Sequence, residues 1–106
     1  MAQEMTLVGV TGSYLGKPLT VAQRICLIGS SATCDIVLHD RQILPRHAEV
    51  RQALGGWFVA PLEAGALVAV NGQRVSRQGR LNEGDLLTIG SATFRASFLK
   101  SRAVNV

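Results

Sequence analysis

Three small sets of residues have the types and spacing that chemistry could use. His39-Asp40 together with His47 would be the only conceivable metal cluster, and His47 the only conceivable general base. The cluster has no recognised ligand spacing, and no Ser or Cys nucleophile motif accompanies the histidine. It reads as a solvated loop, plus a histidine that braces the entry to a strand by hydrogen bonds. Gly29-Ser30-Ser31 has the small residues of a phosphate-cradling loop. It lacks the Gly-Lys-Ser/Thr ending and a following helix, so it reads as a turn. Cys26 and Cys34 lie eight apart, each inside an apolar run, and read as two buried reduced thiols in a reducing compartment. With no dyad, no metal set and no cofactor motif, the chain is expected to be a non-enzyme that carries no cofactor.

Arginine is the remaining chemistry. Lys17 and Lys100 are the only lysines among 11 basic residues; the others are arginines, set against 7 acidic residues for a net charge of +4. The planar guanidinium fork suits carboxylates and phosphates, so acidic partners are in scope. The arginines are spread from Arg24 to Arg102, and aromatics make up only 5% of the chain, too few for a base-stacking platform. Nucleic acid is therefore not an expected partner. Arg74, Arg77 and Arg80 do cluster, and read as a solvated face first and an acidic docking surface second.

The chain of 106 residues is the size of one domain and can bury a core without a metal or disulfide staple. A hydrophobic share of 47% with 17% charged residues excludes a disordered tail. No apolar run approaches the roughly 18 residues of a membrane span, and the first residues lack a basic start and a long apolar stretch. Membrane insertion by this chain is not expected.

The elements that must position these residues show a period of two. Met5–Val10, Leu19–Val21, Arg24–Ile28, Asp35–Leu38, His47–Gln52, Trp57–Ala60, Ala66–Val70 and Ala92–Phe98 read as strands, with two more bounded by Leu81 and Leu86. In the last strand Phe94, Ala96 and Phe98 share one face, and Thr93, Arg95 and Ser97 the other. Trp57 and Phe58 point to opposite faces, so one of them is a candidate for exposure. Asn71-Gly72 is a strong signal for a two-residue hairpin, because both residues tolerate positive φ. About ten short strands with a turn every 8–12 residues predict an all-β sandwich of two antiparallel sheets, and the spacing leaves no room for crossover helices.

Four stretches in order then resemble a forkhead-associated (FHA) domain: Ile28-Gly29-Ser30 with Cys34–Leu38; Pro45-Arg46-His47-Ala48; Val70-Asn71-Gly72; and Leu81–Gly90, which contains Gly84-Asp85. The match spans residues 5–99. The resemblance implies a two-sheet sandwich whose loops at one end read phosphothreonine on partner proteins. Phosphate readers of that family carry Arg after the glycine; Ser30 stands here. They carry Ser-x-x-His in the next loop; Leu44 takes the serine position, followed by Pro45. They carry an Asn before the Asn-Gly hairpin; this loop reads Glu63-Ala64-Gly65-Ala66. The framework residues Gly29, His47, Asn71, Gly72, Gly84 and Asp85 remain. Losing an arginine–phosphate contact alone costs a few kcal/mol, and a dianion needs several charge-assisted donors to offset its dehydration.

The apolar-Pro-x-His loop is similar to the degenerate FHA-like cytoplasmic domain of type III secretion inner-membrane ring proteins, where the sandwich is an assembly module. The expectation is a single FHA-like domain over residues 1–106, with a core at about 5–99. It would be non-catalytic and would contact another protein through Ser30, Arg41, Leu44, Pro45 and Arg46. The cytoplasm is the expected compartment, within a membrane-anchored protein whose helix the basic Lys100-Ser101-Arg102 would flank. The alternative is a phosphothreonine-peptide reader in kinase signalling that uses Arg41 or Arg46 in place of the missing arginine.

Overall fold

The period of two becomes strands wherever β-branched and aromatic residues alternate with polar ones. The computed structural model describes residues 4–98, so the basic tail at 100–102 lies outside the described residues. The strands are β1 (Met5–Gly9), β2 (Pro18–Val21), β3 (Ile25–Gly29), β4 (Ile36–Val37), β5 (Ala48–Ala53), β6 (Gly56–Pro61), β7 (Val68–Val70), β8 (Gln73–Arg74), β9 (Gly79–Leu81), β10 (Leu86–Ile89) and β11 (Ala92–Ser97), with one 3-10 turn at Gly12–Tyr14. They form a six-stranded sheet in the order β2-β1-β11-β10-β7-β8 and a five-stranded sheet in the order β4-β3-β5-β6-β9.

Strands this short are not stable singly; burial of one face of each sheet against the other holds them. Leu7, Val68, Leu87, Ile89, Phe94 and Ala96 of the first sheet join one buried cluster with Cys26, Ile28, Val50, Trp57, Val59 and Leu81 of the second. The alternation in β11 is as expected: Phe94 and Ala96 are buried while Arg95 is exposed. Trp57 is buried and Phe58 on the opposite face is half-buried. The indole Nε1 of Trp57 has no hydrogen-bond partner, so this side chain is held by its apolar area.

The two-sheet sandwich agrees with the expectation in class, and differs from it in three details. The eleventh strand is β8, the return arm of the Asn71-Gly72 hairpin. Both its residues are exposed, so no alternation marks it. Pairing in β7 begins at Val68 rather than Ala66. Finally, β4 pairs parallel to β3, Ile28 opposite Ile36 and Gly29 opposite Val37. Parallel neighbours normally need a long crossover. Here the strand is two residues long, and a hydrogen-bonded loop supplies the return.

Candidate functional site

One end of the sandwich gathers the loops that follow β1, β3, β4, β6 and β10. Its centre is the strap of residues 38–47, which crosses the end of β3. Gly29 makes the crossing possible: a Cβ there would collide with the carbonyl of Pro45 and come within 3.0 Å of the His47 nitrogen. The strap is tied down by backbone bonds. The Ser30 N–H donates to the Leu44 carbonyl (3.0 Å), the Ser31 N–H to the Pro45 carbonyl (3.1 Å) and the His47 N–H to the Ile28 carbonyl (3.0 Å). The Cys34 thiol also donates to the Pro45 carbonyl, at 3.2 Å. Inside, Ile43 and Leu38 are buried and anchor the strap to the core.

His47 is fully buried (0% exposed). Its Nδ1 accepts from the Leu44 N–H at 3.1 Å, which puts the ring proton on Nε2, 2.8 Å from the Leu67 carbonyl. With both nitrogens committed to backbone, the ring has nothing left for a metal or a nucleophile. The Leu67 carbonyl takes a second donor, the Gly90 N–H at 3.0 Å. Gly90 has φ of 59°, and a Cβ there would strike the Gln42 carbonyl. Three loops therefore meet on one carbonyl oxygen. A fourth joins through Tyr14, whose hydroxyl accepts from the His39 N–H at 2.8 Å, while its ring packs on Phe94 with centroids 5.9 Å apart.

What faces outward is different in kind. Arg41, Pro45 and Arg46 are exposed, and Ser30 and Leu44 are half-buried. Neither Arg41 nor Arg46 forms an ion pair among the described residues, where Arg51 pairs with Glu49. The structure thus brings Gly29, Ser30, Arg41, Leu44, Pro45, Arg46 and His47 to one end. Asn71, Gly72, Gly84 and Asp85 lie at the other, where they fasten the two sheets' turns. Asn71 Nδ2 donates to Asp85 Oδ1 (3.0 Å), the Leu86 N–H donates to Asn71 Oδ1 (2.9 Å), and the Asn82 N–H donates to Asp85 Oδ2 (2.8 Å).

Sequence reasoning missed Tyr14, Leu67 and Gly90. Leu67 acts through its backbone oxygen, which no residue type reveals. The positive-φ glycine that closes Leu81–Gly90 was the available signal for Gly90. Beside the strap, the two cysteines are free and buried. Burial first, then the negative charge of Asp35 and the neighbouring Cys34, pushes the Cys26 thiol from 9.0 up to about 12. It is a closed-off side chain, not a reactive one.

Residues 10–97 match the family model described as Yop-YscD cytoplasmic domain, the cytoplasmic domain of the inner-membrane component of the type III secretion system. Solved structures share the fold. The Mycobacterium tuberculosis EmbR complex with a low-affinity phosphopeptide superposes with a TM-score of 0.81 at 20% identity over 92% of this chain; the match spans 25% of that chain. The FHA domain of Chlamydia trachomatis CT664 gives 0.80 at 20% identity, covering 92% of this chain and 99% of that one. The cytoplasmic domain of the sorting-platform protein PscD from P. aeruginosa gives 0.75 at 19% identity, covering 94% and 82%. No curated protein sequence matches the chain.

Proposed function

The chain belongs to the family of cytoplasmic domains of the type III secretion inner-membrane component, and from that premise we propose that it is a non-catalytic assembly module whose strapped loop end docks another protein without reading phosphothreonine. One observation carries this reading. The backbone donors at the end of β3, the amides of Ser30 and Ser31, are consumed by the carbonyls of Leu44 and Pro45. The side chain at position 44 adds no donor of its own. A phosphate arriving there would have to break these bonds to reach the two amides, and polar groups left unpaired cost about 1–3 kcal/mol each.

The surface that remains suits a protein. Arg41, Pro45 and Arg46 are exposed around half-buried Ser30 and Leu44, a mix of charge and apolar edge common at interface rims. On this reading residues 1–106 act as one domain on the cytoplasmic side of an inner-membrane ring. The second reading, a phosphopeptide reader, draws on the exposed guanidiniums of Arg41 and Arg46, which form no ion pair among the described residues.

A pull-down from a phosphothreonine peptide library, run against its unphosphorylated twin, separates the two. The proposal expects no phosphate-selective retention. Selective retention that Arg46→Ala or Arg41→Ala abolishes would establish the second reading instead.

A further inference from the structure

Outside the strap of residues 38–47, an arginine-lined groove runs along the edges of the two sheets. β8 is the edge strand of one sheet and β9 the edge strand of the other, and residues 75–78 join them. Along this seam lies an open hollow of about 630 Å³ lined by Arg74, Arg77, Arg80, Gln73, Gln78 and Asp85 among others. A second hollow of about 340 Å³ shares Arg74, Val75 and Ser76 with it and reaches Pro61 and Glu63, towards the loop that follows β6.

The charge in this groove is unbalanced. Arg74, Arg77 and Arg80 are exposed, and none of them forms an ion pair among the described residues. Asp85, the one carboxylate lining the larger hollow, already accepts from Asn71 and from the Asn82 N–H. Glu63, in the adjoining hollow, is the only other one. Arg80 is held in place: its guanidinium carbon sits 5.6 Å from the Phe58 ring centroid, and it lies against Gly56, where a Cβ would come within 2.8 Å of it. A cation already fixed over an aromatic face loses little freedom when it meets an anion. A charge on an edge strand also guards against unwanted sheet pairing, but that duty needs neither a concavity nor three unbalanced arginines within residues 73–80.

We propose that this groove docks an acidic, extended segment of a partner protein, independently of the strapped loop end. Charge complementarity selects the carboxylates. The open edges of β8 and β9, with the amide side chains of Gln73 and Gln78, offer the backbone and neutral hydrogen bonds that an added strand takes. Bases would find no exposed aromatic to stack on. A bilayer would find the groove's valines, Val70 and Val75, half-buried or buried.

The test is a titration of the chain with a fluorescein-labelled Glu/Gly-rich peptide, followed by fluorescence anisotropy and by amide chemical shifts. Oligothymidine and phosphatidylglycerol vesicles are the comparison ligands. The expected result is salt-sensitive peptide binding with shifts confined to residues 70–82. Arg77→Glu, at unchanged melting temperature, weakens it about tenfold, and Arg46→Glu at the strap leaves it unaltered. Arg74→Glu repeats the measurement should Arg77→Glu disturb folding. Shifts spread over all arginine-bearing surfaces, or reversals at both positions without effect, would overturn the proposal. So would tighter binding of oligothymidine or vesicles through the same arginines, which would assign the groove to nucleic acid or lipid.

Discussion

A thiol among apolar side chains keeps its proton, and Cys26 shows the consequence for stability. Its folded pKa is about 12 against an ordinary 9.0. Above pH 9 the unfolded chain releases this proton while the folded chain retains it. The unfolded state then binds fewer protons, and unfolding free energy falls as pH rises towards 12. Urea denaturation between pH 8 and 11 should show a decline that is shallower in Cys26→Ala, although that variant starts from a lower stability because it leaves a cavity. Equal slopes in both proteins would contradict the assignment. At this scale the sequence was partly legible. Residue type and surroundings announce a buried cysteine, and the FHA resemblance singles out His47. The partners that consume the ring nitrogens are backbone groups of Leu44 and Leu67, and backbone groups look alike in every sequence.

Turns are where the elements of this chain differ most in how openly they are written. The hairpin between β7 and β8 uses Asn71 and Gly72 at φ of 53° and 84°, the residues such a turn favours. The hairpin between β5 and β6 has the same plan, with Ala53 paired to Gly56 across Leu54 and Gly55. Leu54 adopts φ of 51° there and is 95% exposed. Leucine in the left-handed region is strained by about 1 kcal/mol or more, and this one gains no burial in return. Leu54→Asn should therefore raise the unfolding free energy by about 1 kcal/mol, read as a higher thermal midpoint. A neutral or lower midpoint would mean that the leucine is held by contacts within the folded chain. Strand order was less legible than strand existence. Alternation exposes β11 and β5 directly, whereas parallel β4 and the exposed pair in β8 carry no periodic signal.

Across the whole molecule, the two ends of the sandwich do different work. One end closes the sheets through Asn71 and Asp85. The other folds its loops onto a single carbonyl and leaves Arg41, Pro45 and Arg46 exposed. Turn spacing and alternation were enough for the all-β sandwich class. Which loops share an end depends on pairing register, and there the resemblance, not the periodicity, was informative. The edges at β8 and β9 depend on register too, so the arginine groove could be read only as a charge cluster until the sheets were assembled. Both proposed contacts use surfaces that the core leaves unchanged. Variants at Arg41 and Arg46 should therefore act separately from variants at Arg74 and Arg77, additively as distant sites do.

Amide hydrogen exchange at Ser30 and Ser31 tests the central claim most directly, because the account rests on the strap occupying those two donors. If the strap holds them as the 3.0 and 3.1 Å bonds to Leu44 and Pro45 indicate, both amides exchange on the order of a hundredfold more slowly than an open loop. The rates stay the same when a phosphothreonine peptide is added. Fast exchange that becomes slow only on adding the phosphopeptide would contradict the account.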